Sequence, residues 1–208
     1  EDVTGSVLVS GSSVDCTVQT FGAFPPASSF SFTGSPTDNS TLALTLCLRD
    51  AAGRIGSAVD TALLDLNNPT ASLLINGQNG AGFFTNVANV TLTLTAGDTA
   101  SGIAGMRVSN SSTPTGAYVP LAASLPWTVQ NPTTQEAKTV YFEVRDNSGR
   151  TSGVASAQVT LDTAPPTGSL SVVGGAFQQS ATVSFGVTRG DTNTTQMAIA
   201  QGLLDCAG

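Results

Sequence analysis

The run Arg49-Asp50-Ala51-Ala52-Gly53-Arg54 returns 96 positions later as Arg145-Asp146-Asn147-Ser148-Gly149-Arg150, and its surroundings return with it. Downstream of the first copy stands Asp65-Leu66-Asn67-Asn68-Pro69-Thr70-Ala71-Ser72-Leu73. Downstream of the second stands Asp162-Thr163-Ala164-Pro165-Pro166-Thr167-Gly168-Ser169-Leu170, in the same order. A period near 95 residues is the size of a small domain and too long for a solenoid turn. The phase adds a second constraint. Val14-Asp15-Cys16 corresponds to Leu204-Asp205-Cys206, so residues 191–208 replay residues 1–18. The chain is therefore expected to open within one unit (residues 1–65), to traverse a complete one (66–163), and to stop within a third (164–208).

Alternation of apolar and polar residues sets the fold class. Val90-Thr91-Leu92-Thr93-Leu94-Thr95 alternates strictly, and Leu42–Arg49 and Thr139–Arg145 alternate in the same phase as each other. A period of two puts apolar side chains on one face of a strand. Further strands are expected at Ser72–Asn76, Gly105–Ser109, Trp127–Gln130, Ala155–Leu161, Ser169–Val173, Ala181–Val187 and Gln196–Ala200, with Gly, Pro, Asn and Asp clusters between them. No window holds a helical period. About seven short strands per unit is the size of an immunoglobulin-like sandwich of two packed sheets, so the expected fold is all-β, in tandem repeats of about 95 residues. Each Asp-x-x-Gly turn has a local reason: Asp accepts nearby backbone donors and Gly supplies positive φ. Asn67-Asn68-Pro69 and Ala164-Pro165-Pro166 read as short, stiff linkers.

Composition narrows the partners. Charged residues are only 10 % and the net charge is −7. Such a surface cannot replace phosphate counterions, which argues against nucleic acid. No apolar stretch approaches the roughly 20 residues of a membrane span, so no membrane insertion is expected in this segment. Cys16 and Cys47 fall in the same unit, and Cys206 lacks a downstream partner. The simplest pairing is a Cys16–Cys47 disulfide in an oxidising, extracytoplasmic setting; the alternative is three buried free thiols. The matching positions of the middle unit are Thr115 and Glu143, so a disulfide would be optional to the fold.

With no histidine, neither a Ser-His-Asp arrangement nor a histidine metal site can be built, and three cysteines at this spacing make no zinc site. No enzyme activity is expected. Trp127 and Tyr118 could stack on sugars, against the plainer reading of core aromatics.

The string Val144-Arg145-Asp146-Asn147-Ser148-Gly149-Arg150, the strand ending Val159-Thr160-Leu161-Asp162, and the junction Thr163-Ala164-Pro165-Pro166 resemble the bacterial immunoglobulin-like repeats of large surface proteins and adhesins. The resemblance covers essentially the whole chain. It implies a mechanical role at the cell surface or outside the cell: a rod, stalk or filament whose partners are neighbouring copies or repeats of the same protein. Some relatives bind calcium between successive domains. The matching residues here are Asp50 with Asp65 at one junction and Asp146 with Asp162 at the next, helped by Asp98 or Asp191; structural turns are the competing reading. Two other functions stay open, an adhesive module binding a surface glycan through loop 110–118 and an accessory domain of an extracellular hydrolase. The register of the ends also allows residues 164–208 of one copy to complete residues 1–65 of the next, head to tail, unless a longer chain supplies the missing strands covalently.

Overall fold

The computed structural model describes residues 3–10, 14–23, 37–76, 84–191 and 194–199 of the 208. The architecture is all-β. Among the described residues the one helical piece is a 3-10 turn, Cys16–Val18, and no helix is long and apolar enough to cross a membrane. The chain divides into two compact units, Glu1–Leu161 and Asp162–Gly208. The segments expected at 1–65 and 66–163 thus share one compact unit down to Leu161.

That unit begins with an antiparallel sheet of β1 (Val3–Ser10), β2 (Ser40–Asp50) and β3 (Ile55–Leu64) in sequence order. Among the described residues seven strands follow: β4 (Thr70–Asn76), β5 (Phe84–Thr85), β6 (Asn89–Gly97), β7 (Ile103–Ser109), β8 (Ser124–Thr128), β9 (Ala137–Asp146) and β10 (Ala155–Leu161). They form two sheets, ordered β4-β6-β8 and β5-β10-β9-β7, antiparallel except for the short β5–β10 pair. The strictly alternating strands supply the core between them. Val90, Leu92 and Leu94 of β6 meet Val140, Phe142 and Val144 of β9, with Leu73 and Ile75 of β4 and Val159 and Leu161 of β10. The threonines between the β6 residues point away, which is what a period of two dictates.

β1-β2-β3 reproduces the register of β7-β9-β10. Val3 pairs with Asp50 and Ser6 with Leu48; Ile103 pairs with Asp146 and Met106 with Val144. Both pairings slip just before a glycine, Gly5 in one and Gly105 in the other. The turns after β2 and β9 also match. The Asp50 amide donates to Arg54 O (3.0 Å) and the Gly53 amide to Asp50 O (3.1 Å); the Asp146 and Gly149 amides do the same at 3.0 and 3.3 Å. Gly53 and Gly149 close these turns at φ 80° and 94°, the left-handed region expected of them.

Cys16 and Cys47 form a disulfide across 5.6 Å between Cα atoms. Cys206 lies outside the described residues. The second unit contains the antiparallel hairpin of β11 (Gly168–Val172) and β12 (Phe185–Arg189). Strand limits differ from expectation in several places. β8 starts at Ser124 instead of Trp127, β12 starts at Phe185 instead of Ala181, residues 196–199 of the expected strand Gln196–Ala200 are irregular, and β3 appears where none was expected.

Candidate metal centre

Three aspartates converge where the first sheet hands over to the sandwich. Asp65 follows β3 and opens the linker, Asp98 follows β6, and Asp146 ends β9. One carboxylate oxygen from each lies within 4.8 Å of the others. The register explains the meeting. β4 starts right after the linker and Thr70 pairs with Gly97, so Asp98 is carried to the linker's side.

Each carboxylate is fixed by local bonds. Asp98 Oδ1 accepts from the amides of Ala100 (3.1 Å) and Gly102 (2.7 Å). Asp146 Oδ1 accepts from the Arg150 amide (2.9 Å) and the Ser148 hydroxyl (2.8 Å). Ser101 donates its hydroxyl to Asp65 Oδ2 and accepts from the Ser148 amide (3.2 Å). Asn147 Nδ2 donates to Ser101 O (2.7 Å), and Arg150 Nε donates to Asp65 O (3.1 Å). Linker, loop 98–102 and turn 146–150 are therefore stitched together.

The remaining oxygens are the informative ones. Asp65 Oδ1 and Asp146 Oδ2 are buried and accept no hydrogen bond among the described residues. Asp146 is 1 % exposed and Asp65 9 %. Buried charged oxygens without partners are costly, and like charges at this spacing add to the cost. At an effective dielectric constant of about 20, two carboxylates at the outer limit of 4.8 Å would repel by roughly 3 kcal/mol, and closer ones by more. A cation removes both penalties at once. All the donors are hard oxygens, which suits calcium, and oxygens within 4.8 Å of one another are close enough to share an ion that takes ligands at roughly 2.4 Å. The residues present fit the ion.

The set differs from the pairs named in the sequence. Asp65 and Asp146 come together and Asp98 joins them, but Asp50 and Asp162 stand elsewhere. β3 separates Asp50 from Asp65, and β10 separates Asp146 from Asp162. Asp50 is engaged by its own turn: Oδ1 accepts from the amides of Ala52 and Arg54 (both 2.9 Å) and Oδ2 pairs with Arg54 Nε at 2.7 Å. Asp162 Oδ1 accepts from the Ala164 amide at 3.2 Å.

Tyr118 is tied into a different network, on the outer face of β7 and β9. The guanidinium groups of Arg107 and Arg145 lie 4.6 and 4.7 Å from its ring centre, and its hydroxyl donates to Glu143 Oε1 at 3.0 Å. Burial, then the bond to Glu143, holds its phenol above the ordinary range. The two guanidinium contacts compete with sugar stacking. Trp127 donates its indole N–H to Asn110 Oδ1 (2.8 Å) and packs against the core, the plainer of its two expected roles. The sequence flags Asp98 only as a helper and does not flag Ser101; the Gly97–Asp98 step at the end of β6 is the signal it offers.

No protein-family model matches this chain, and no curated protein matches its sequence.

Proposed function

We propose that this chain is a non-catalytic structural segment of a secreted or cell-surface protein, a rod of tandem immunoglobulin-like sandwich repeats whose junctions are tied by calcium. One observation carries the reading: three carboxylates from a linker and from the sandwich after it converge and leave two buried oxygens without partners. Asp65 belongs to the end of one repeat, and Asp98 and Asp146 belong to the next. An ion held by all three would fasten the linker to the following sandwich and remove the hinge freedom that Pro69 alone restricts only in part. Ser101 and water would complete the six to eight oxygens that calcium takes. Extracellular calcium modules bind at roughly 0.1–1 mM, so such a site would be filled outside the cell and empty in a cytosol. The Cys16–Cys47 disulfide supports the same oxidising location.

Thermal unfolding in millimolar calcium against chelator tests this. Calcium at about ten times its Kd should raise Tm by roughly 3–6 °C, and Asp146→Asn should abolish the increment. Equal melting in calcium and chelator would remove the proposal.

A further inference from the structure

The chain carries two apolar sheet faces that look like the two halves of its own central sandwich. In β9, Val140, Phe142 and Val144 are fully buried, at 0 % exposure. The matched register puts Leu44, Leu46 and Leu48 of β2 at the same positions, and these are only half-buried. The hairpin of the second unit presents the opposite half. Leu170 pairs with Val187 and Val172 with Phe185, as Leu73 pairs with Leu94 and Ile75 with Leu92. Those four residues of β4 and β6 are at most 9 % exposed, whereas Leu170, Val172, Phe185 and Val187 are 59, 38, 54 and 49 % exposed. The hairpin is also one-sided, since Ser169, Ser171 and Thr188 occupy the other face.

We infer that β11–β12 of one copy covers the leucine face of β1-β2-β3 in a second copy, completing a sandwich of the kind that β4 and β6 form on β9 and β10. The central sandwich identifies the occupant, because it displays the same two strand patterns already mated in one core. Among the described residues no strands cover β1-β2-β3 as β4 and β6 cover β9 and β10, and β11–β12 resembles those two strands. Donor and acceptor faces differ, so the contact is heterologous and propagates from copy to copy without closing. The inference rests on the repeat reading above but needs no calcium.

Light scattering on the full chain over a range of concentrations, with Cys206→Ser in every sample to prevent random disulfides, is the test. Mass should rise above the 20.9 kDa of a single chain. Phe185→Asp, at an exposed position, should stay monomeric with the melting of the central sandwich unchanged. Because that variant keeps its leucine face, it should act as a chain stopper and shorten wild-type assemblies when mixed with them. A wild type that is monomeric at every concentration would overturn the inference, whether its faces stay open or close within one chain. Assembly that survives Phe185→Asp, or that ignores the added variant as a symmetric dimer would, would overturn it too. Calcium-dependent melting is read separately, so either proposal can fail alone.

Discussion

Cys47 and Glu143 stand at the same register position, one opposite Val7 and the other opposite Arg107. The first sheet covers this spot with a disulfide to Cys16. The sandwich covers it with Glu143, which accepts from Arg107 Nε and Nη2 at 3.0 and 2.8 Å and from the Tyr118 hydroxyl. Both solutions pin a loop onto the outer face of the sheet, one covalently and one by charge. Glu143 is only 6 % exposed, so its removal would leave Arg107 and the Tyr118 hydroxyl short of a partner. Glu143→Ala should cost about 2–3 kcal/mol in denaturant unfolding, and a change under 0.5 kcal/mol would mean that the network is not structural. Asp38 gives a pH-dependent counterpart. Its carboxylate accepts from the Leu66 amide and from Asn67 Nδ2, both at 2.7 Å, and the Leu66 amide above all holds its pKa below the ordinary value. A depressed acid stabilises the fold above its unfolded pKa of about 3.9 and loses that contribution as pH falls through the folded value. The stability gap between wild type and Asp38→Ala should therefore close below about pH 4; a gap independent of pH would exclude this role.

At the scale of strands, legibility followed the period of two. β2, β6, β9 and β10 could be read because their apolar residues alternate. β3 could not, since Ile55-Gly56-Ser57-Ala58-Val59-Asp60 offers no sustained alternation; it is a strand because Arg49 through Ser40 of β2 pair with it along its whole length. The aspartate cluster is half-legible for the same reason. The sequence flags aspartates near turns, but ten residues of β3 put Asp50 roughly 30 Å from Asp65, and only the register Thr70↔Gly97 brings Asp98 to the linker. The glycine at the slip in β1 and β7 is a close-approach residue that pattern reading passed over. A Cβ at Gly105 would sit 3.0 Å from both Tyr118 Cβ and Val119 O, and one at Gly5 would sit 2.9 Å from Phe21 Cβ. Arg145 covers Tyr118 and Arg49 covers Phe21, each with its guanidinium 4.7 Å from the ring centre. Gly105→Ala should cost about 1–3 kcal/mol by overpacking and loosen Tyr118; an unchanged midpoint in denaturant would show that the loop gives way freely.

For the whole molecule, similar strand registers recur among the described residues: closed in the central sandwich, with β1-β2-β3 matching β7-β9-β10 and β11–β12 matching β4–β6. In the proposed array the decisive feature is what fastens one unit to the next, and here Asp65, Asp98 and Asp146 converge between the first sheet and the sandwich with two unsatisfied oxygens. Titration calorimetry of the chain with calcium tests that claim most directly. One ion per chain should bind at the Asp65, Asp98 and Asp146 site, and Asp98→Asn should abolish or strongly weaken it without unfolding the protein. No binding heat at several temperatures up to roughly 10 mM calcium, or binding unchanged in Asp98→Asn, would contradict it.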